Sequence, residues 1–279
     1  MGSVGVVGAG IIGLSSAVCI LERDPTVKLT VIADKFTPNT TTTMEELERL
    51  SQRDDAGSYL TIYKTTTFDV TDESCEDPFW ADLVDGYRHL SQKELAQISK
   101  TTKFGYSFTT WFFNGRNYLP WLIERLKSLG GTISKKTINS LDELAGSYDV
   151  VVNCSGMGAR KLVNDSLVHP IRGQVLRVYA PWIKQAYCLN TKEWHTNGEV
   201  VLGGTAYHNN FDTRVNADDT RHILESTSQL VPSLKQARMI NAWVGLRPGR
   251  TSARLEKEEK RFRDKSGKEA CLKVGFWNT

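Results

Sequence analysis

The chain has 279 residues, 40% of them hydrophobic and 24% charged, with a formal net charge of +3. That length suits one large domain or two smaller ones, and the composition is that of an ordinary globular protein. A charge so close to neutral gives no reason to invoke nucleic acid, and no apolar run reaches the ~18 residues of a membrane span.

The N-terminus lacks the basic stretch and cleavage site of a signal peptide. Five cysteines (Cys19, Cys75, Cys154, Cys188, Cys271) are scattered without a CxxC pair, and they read as reduced intracellular thiols rather than disulfides or metal ligands. The five histidines form no metal pattern, so no metal is expected. The final "GFWNT" matches no peroxisomal tripeptide, and the expected location is cytoplasmic or peroxisomal.

In chain order, "VGVVGAG" reads as a short buried strand ending in glycines. "IIGLSSAVCILER" has apolar residues at helical spacing, and "VKLTVIADK" is a second strand. A strand, glycine turn, helix and strand in succession begin a parallel sheet with a right-handed crossover. After a threonine run, "YLTIYKTTTF" is a strand. "NYLPWLIERLKSLGG" is an amphipathic helix that the Gly130–Gly131 pair would cap. "TISKKTI" is a strand, and "LDELAGSYDVVVNCSG" is a short helix leading to an apolar strand and a glycine turn. From Ile171 to about Val244 strands dominate, interrupted by a helix at "ADDTRHILESTSQLV". The basic residues from Arg247 to Lys268 are interleaved with acidic ones and read as a solvated face.

This succession predicts an α/β protein. A Rossmann-like nucleotide-binding domain with a parallel sheet spans 1–50 and 125–170. A second, sheet-rich α+β domain for substrate spans 51–124 and 171–265.

Gly8, Gly10 and Gly13 spell GxGxxG in "GAGIIG", after a strand and at the start of a helix. The second strand ends in Asp34, about twenty residues past the last glycine. Gly8 permits the tight turn, Gly10 lets backbone approach a pyrophosphate, and Gly13 lets the helix lie close on the strand. Ala9 and Ile11 complete the turn, whose N–H groups face the phosphate charge. Asp34 would accept hydrogen bonds from a ribose. The motif serves NAD and FAD alike.

Several segments, in order and covering most of the chain, resemble the D-amino-acid oxidase and D-aspartate oxidase family of FAD flavoproteins. They are "VVGAGIIGLSSAVCI", "ADKFTPNTTT", "DPFWADLVDGYRHLSQKEL", "NYLPWLIERL", "VVNCSGMGARKL", "IRGQVLRVYAPWIK", "VVLGGT" and "VGLRPGRTSARLE". "IRGQVLRV" and "VGLRP" lean toward D-aspartate oxidases. The resemblance implies oxidative deamination of a D-amino acid, of the D-aspartate or D-glutamate branch. The products are a 2-oxo acid, ammonia and hydrogen peroxide, with FAD as cofactor and oxygen as second substrate. A homo-oligomer is an accompanying expectation.

The resemblance also assigns residues. Arg247 in "GLRPGR" matches the arginine that holds the substrate carboxylate, a task suited to a guanidinium fork. Taken alone, it reads first as a structural ion pair at a strand end. Tyr187 is the candidate for the tyrosine that family members place over the substrate, on the strand before "LGGT"; a core aromatic is its other reading. Asp34 and Lys35 match positions near the adenosine ribose, and Thr41 and Thr42 positions near the pyrophosphate. Thr137 would meet adenine through its backbone. Ser155 and Gly156 would lie beside the nucleotide.

The chain departs from the family pattern in three places. Thr43 passes directly into "MEELERLSQRDD", where the family has a glycine-containing segment against the flavin and pyrophosphate. After "KVGFWNT" the family continues with a "HNYGHGG"-like stretch and a helix. The position after "GGT" is Ala206, so the arginines that recognise an acidic side chain have no clear counterpart. The alternative is therefore a non-catalytic, truncated family member with weak or no FAD binding.

Overall fold

The computed structural model describes residues 2–35, 63–71, 76–98, 102–112, 115–189, 194–196, 198–263 and 269–278. The threonine run with Thr41 and Thr42, and the "MEELERLSQRDD" stretch after it, lie outside these residues. The chain forms two units. The first comprises Met1–Thr43, Gly115–Ile171 and Arg247–Thr279; the second comprises Met44–Asn114 and Arg172–Leu246.

In chain order the strands and helices of the first unit begin with β1 (Ser3–Val7), α1 (Ile11–Arg23) and β2 (Lys28–Ala33). In the second unit β3 (Tyr63–Thr71), β4 (Asp85–His89), α2 (Gln92–Ile98) and β5 (Phe104–Phe112) follow. The chain returns to the first unit for α3 (Gly115–Ser128), β6 (Thr132–Lys135), β7 (Val150–Asn153) and α4 (Ala159–Leu162). Strand β8 (His169–Tyr179) leads into β9 (Ala186–Leu189), β10 (Trp194–Thr196), β11 (Glu199–Leu202), β12 (Tyr207–His208) and α5 (Ala217–Leu230). Strand β13 (Arg238–Gly249) then leads to β14 (Arg254–Arg263) and β15 (Glu269–Asn278).

The first unit is built on a six-stranded sheet in the order β14-β15-β7-β1-β2-β6. All its pairings are parallel except the β14–β15 hairpin. Strand β1 is central and buried from Val4 to Val7, which is why it reads as a continuous apolar run rather than an alternating one. Val7, Ile32, Val151 and Val274 form a core with Leu141 and Leu144 of a 3-10 turn. Helix α1 is held to α3 by Arg125, which donates to Glu22 at 2.8 Å. Helix α3 ends as the glycine pair predicts: Gly130 has φ +83°, and the Gly131 N–H reaches back to the Leu126 carbonyl, a Schellman-type cap. The expected solvated stretch after Arg247 contains β14, which is largely exposed over its described side chains and ends the sheet with charge. Such an edge resists pairing with other chains.

The second unit holds two sheets. One has the order β4-β5-β3-β9, and the other runs β10-β11-β8-β12 with β13 also on β8. Helix α5 is capped by Asn216, whose side chain accepts from the N–H groups of Asp218 and Asp219. It places Ile223 against Leu176, Val178, Val200 and Leu202 of the second sheet. Arg172, 3% exposed, pairs with Asp219 at 2.8 Å and also donates to the carbonyls of Asp212 and Arg214. Gln174 donates to the Asn216 carbonyl and to Thr220 Oγ1. The "IRGQ" segment thus anchors the loop from Asp212 to Asn216 and the start of α5.

Candidate active site

Four parallel strands of the first unit end on one edge of the sheet, and the expected nucleotide residues follow them. Gly8, Ala9 and Gly10 follow β1, Asp34 and Lys35 follow β2, Thr137 follows β6, and Ser155 and Gly156 follow β7. The carboxyl edge of a parallel sheet is where open α/β proteins bind ligands. Asp34, Lys35 and Thr137 are exposed there. The Lys136 N–H donates to the Ala33 carbonyl at 3.0 Å, which keeps the Thr137 segment beside the end of β2.

The glycine turn is tight for steric reasons. Gly8 has φ +108°, and a Cβ on it would lie 2.3 Å from the Cys154 carbonyl oxygen; a Cβ on Gly13 would lie 1.9 Å from the Gly8 carbonyl oxygen. Only glycine lets α1 start this close to the ends of β1 and β7. Gly10 caps α1 without a side-chain hydrogen bond, and the first turn, which includes Ile11, carries no acidic residue. The positive end of a 13-residue helix therefore meets the sheet edge with no carboxylate of its own to neutralise it.

At the end of β7 two buried polar atoms lack partners among the described residues, Asn153 Nδ2 and Ser155 Oγ. Gly156 has φ +54° and lies near Pro248, whose Cγ is 3.9 Å from the position of a Cβ there. Arg247 therefore sits next in sequence to a residue that borders the end of β7.

The three arginines of "GLRPGRTSAR" differ sharply. Arg250 donates to buried Asp165 at 3.3 Å and to the Ser252 carbonyl. Arg254 pairs with Asp165 at 3.6 Å and with Glu256 and Glu258. Arg247 is exposed, and among the described residues its guanidinium has no carboxylate partner. Nothing in the sequence signals Asp165 as the anchor of its neighbours, because 85 residues separate it from Arg250.

Tyr187 lies in the second unit on β9, which pairs with β3, not on the strand before Leu202. That strand is β10, where Trp194 stands opposite Val201. The Tyr187 ring stacks on Phe68 at 5.5 Å, and its hydroxyl donates to Gln185 at 3.1 Å. It lines a cleft of about 340 Å³ with Phe68, Ile98, Leu230 and Val231, beside the Arg88–Glu94 ion pair.

Asn153 is the residue that sequence reasoning passed over. Its signal was present in "VVVN", a polar side chain closing an apolar strand. Cys154 next to it is buried, and burial pushes its thiol up to about 12 against a hydrogen bond with Ser16. It is a packing residue at this edge. Among the described residues no His, Cys, Asp or Glu cluster could hold a metal ion, and no helix is long and apolar enough to cross a membrane.

A parallel sheet with a glycine turn, an uncapped helix start and an acidic residue after the second strand defines a dinucleotide-binding protein. Residues 41–262 match the family profile "FAD dependent oxidoreductase". The chain is 37% identical to human D-aspartate oxidase over 291 aligned positions, covering 91% of this chain and 83% of that one. It is 34% identical to D-amino acid oxidase of Dugesia ryukyuensis, covering 92% and 86%. The crystal structure of glycine oxidase from Geobacillus kaustophilus superposes with a TM-score of 0.74 at 16% identity, covering 99% of this chain and 89% of that one. The chain belongs to the FAD-dependent oxidoreductase family, among the D-aspartate and D-amino-acid oxidases, and the family cofactor is FAD. The 291 aligned positions exceed the 279 residues of the whole chain. The alignment therefore passes over stretches that the human enzyme has and this chain lacks.

Proposed function

We propose that the chain oxidatively deaminates D-amino acids with FAD, yielding a 2-oxo acid, ammonia and hydrogen peroxide. The observation that carries this reading is Arg247. It is an exposed guanidinium beside the nucleotide edge with no carboxylate partner among the described residues, in a segment whose other two arginines are tied to Asp165. A guanidinium held this way can take a carboxylate with two parallel hydrogen bonds.

The residues present fit FAD, since Gly8 and Gly13 let backbone pack closely enough for α1 to start at the sheet edge with no acidic residue in its first turn. Buried donors without partners among the described residues also sit at the adjoining strand end. The turn and the start of α1 would hold the pyrophosphate, Asp34 the ribose, and the Thr137 backbone the adenine; Thr41 and Thr42 would add pyrophosphate contacts. Bound FAD supplies the acceptor for the hydride that leaves the substrate Cα. Arg247 would fix the carboxylate and so aim Cα. Positioning of this kind, rather than a protein base, is the main task of the chain when the amine binds uncharged. Tyr187 enters as the aromatic bounding the substrate. The D-aspartate and D-glutamate branch is supported by "IRGQVLRV" and "VGLRP"; Ala206, exposed after "GGT", brings no charge to recognise an acidic side chain. A reduced compartment, cytoplasmic or peroxisomal, and self-association complete the reading.

A second reading is a family member that grips FAD weakly and does not turn over. The stretches of the human enzyme missing from the alignment favour it. The two are separated by reconstituting the chain with FAD and measuring peroxide from D-aspartate, D-glutamate and neutral D-amino acids. Stoichiometric FAD with peroxide release supports the first, and Arg247→Ala should then abolish turnover with FAD retained. A colourless protein without peroxide supports the second.

A further inference from the structure

The last residue of β7, Asn153, is 0% exposed. It stands between Val7 of β1 and Phe276 of β15. A carboxamide offers one acceptor and two donor hydrogens, and its ends are interchangeable until a partner fixes them. Here the Ser155 N–H donates to Oδ1 at 3.2 Å. That fixes the oxygen toward Ser155 and leaves Nδ2 as the other end, buried and without a partner among the described residues.

An unpaired buried donor is destabilising. The valines that make up the rest of β7 would avoid the penalty, and a carboxylate would serve the Ser155 N–H equally well. An amide is the side chain of choice only where a donor must be presented as well. The place is equally specific. A Cβ on Gly8 would lie 2.3 Å from the Cys154 carbonyl oxygen and 3.3 Å from the Ser155 nitrogen. The amide that holds Ser155 is therefore beside the turn at which backbone approaches a pyrophosphate. Ser155 Oγ, also buried and without a partner among the described residues, is two residues away.

We infer that Asn153 is a cofactor-positioning residue whose side-chain N–H donates to the pyrophosphate stretch of the dinucleotide held at the Gly8–Gly13 turn. The inference rests on the FAD reading above. A neutral amide presents its donor without titrating, so the contact is independent of pH in the physiological range.

The test titrates FAD, ADP and adenosine into the full chain, unmodified and as Asn153→Ala and Asn153→Asp, by calorimetry and thermal shift. Both substitutions should weaken FAD and ADP on the order of 10- to 100-fold, the range for a hydrogen bond to a charged group. Adenosine, which lacks the phosphates, should bind all three proteins alike. Aspartate keeps the acceptor for the Ser155 N–H, so it separates loss of the donor from loss of the turn. Three results overturn the inference: FAD and ADP affinities within twofold of the unmodified chain, an equal loss for adenosine, or no nucleotide bound by the unmodified chain. FAD bound without peroxide from any D-amino acid would instead defeat the oxidase reading, and the comparison of FAD with adenosine would still decide the role of Asn153.

Discussion

Gly13 lies so close beneath Gly8 that a methyl group on it would sit 1.9 Å from the Gly8 carbonyl oxygen. The obstacle is backbone and cannot swing aside, so Gly13→Ala must push α1 off the end of β1. Overpacking of this kind is destabilising by about 1–3 kcal/mol, and here it also displaces the pyrophosphate turn. Urea unfolding should show the loss of stability, and titration should show FAD affinity falling with it. Gly245→Ala is the control: no described atom lies within 4 Å of a Cβ there, and both measurements should stay unchanged.

Asp165 sets Arg250 and Arg254 apart from Arg247. Its side chain is 4% exposed and faces both Arg250 and Arg254. Asp165→Ala takes from Arg250 its carboxylate partner, while Arg254 keeps Glu256 and Glu258, and should lower stability by about 3–5 kcal/mol, the usual effect of breaking a buried pair from one side. Arg247→Ala should leave the unfolding midpoint within experimental error, because no described carboxylate depends on it. Equal losses from the two substitutions would place Arg247 in the ion-pair network and remove it as a carboxylate clamp.

Glu94 should remain ionised to unusually low pH. The Arg88 guanidinium beside it, followed by the Ser91 N–H and hydroxyl, brings its carboxyl from the ordinary 4.5 down to about 2. The folded value lies below the unfolded one. The stabilisation is therefore fully present above the unfolded value and is lost as pH falls from there through about 2. Carbon NMR of the Glu94 carboxyl should give a midpoint near 2, and Arg88→Ala should move it back toward 4.5.

Cys154 and Cys19 should react very differently. Burial raises the Cys154 thiol to about 12, so almost no thiolate exists at pH 8, and thiolate is the reactive form. Cys19 on α1 is exposed. Brief treatment of the native protein with iodoacetamide, followed by peptide mass spectrometry, should find Cys19 modified and Cys154 untouched. Rapid labelling of Cys154 would show that the end of β7 opens readily.

The parts legible in the sequence are those built from neighbours along the chain. The glycine turn, the Gly130–Gly131 cap and the apolar run into Asn153 each declare themselves within a few residues. What escaped was set by distant partners. The fate of Arg250 and Arg254 depends on Asp165, far back in the sequence. The placement of Tyr187 depends on which strand β9 joins, and β9 pairs with β3, more than a hundred residues earlier. The β14–β15 hairpin was hidden by its charge, because an edge strand facing solvent carries no apolar alternation to read.

The position of β15 gives the sheet a particular order of assembly. This strand, the last in chain order among the described residues, is an interior one, with β14 on one side and β7 on the other. Its Val274 is completely buried in the same core as Val7, the end of the first strand. During synthesis the β1–β2 pair can form early, but one side of β7 stays unpaired until β15, more than a hundred residues further on, has emerged. Contacts spanning so much sequence make for slow folding. For that interval the open edge of β7 is the place where a chaperone, or another nascent chain, would find backbone to bind.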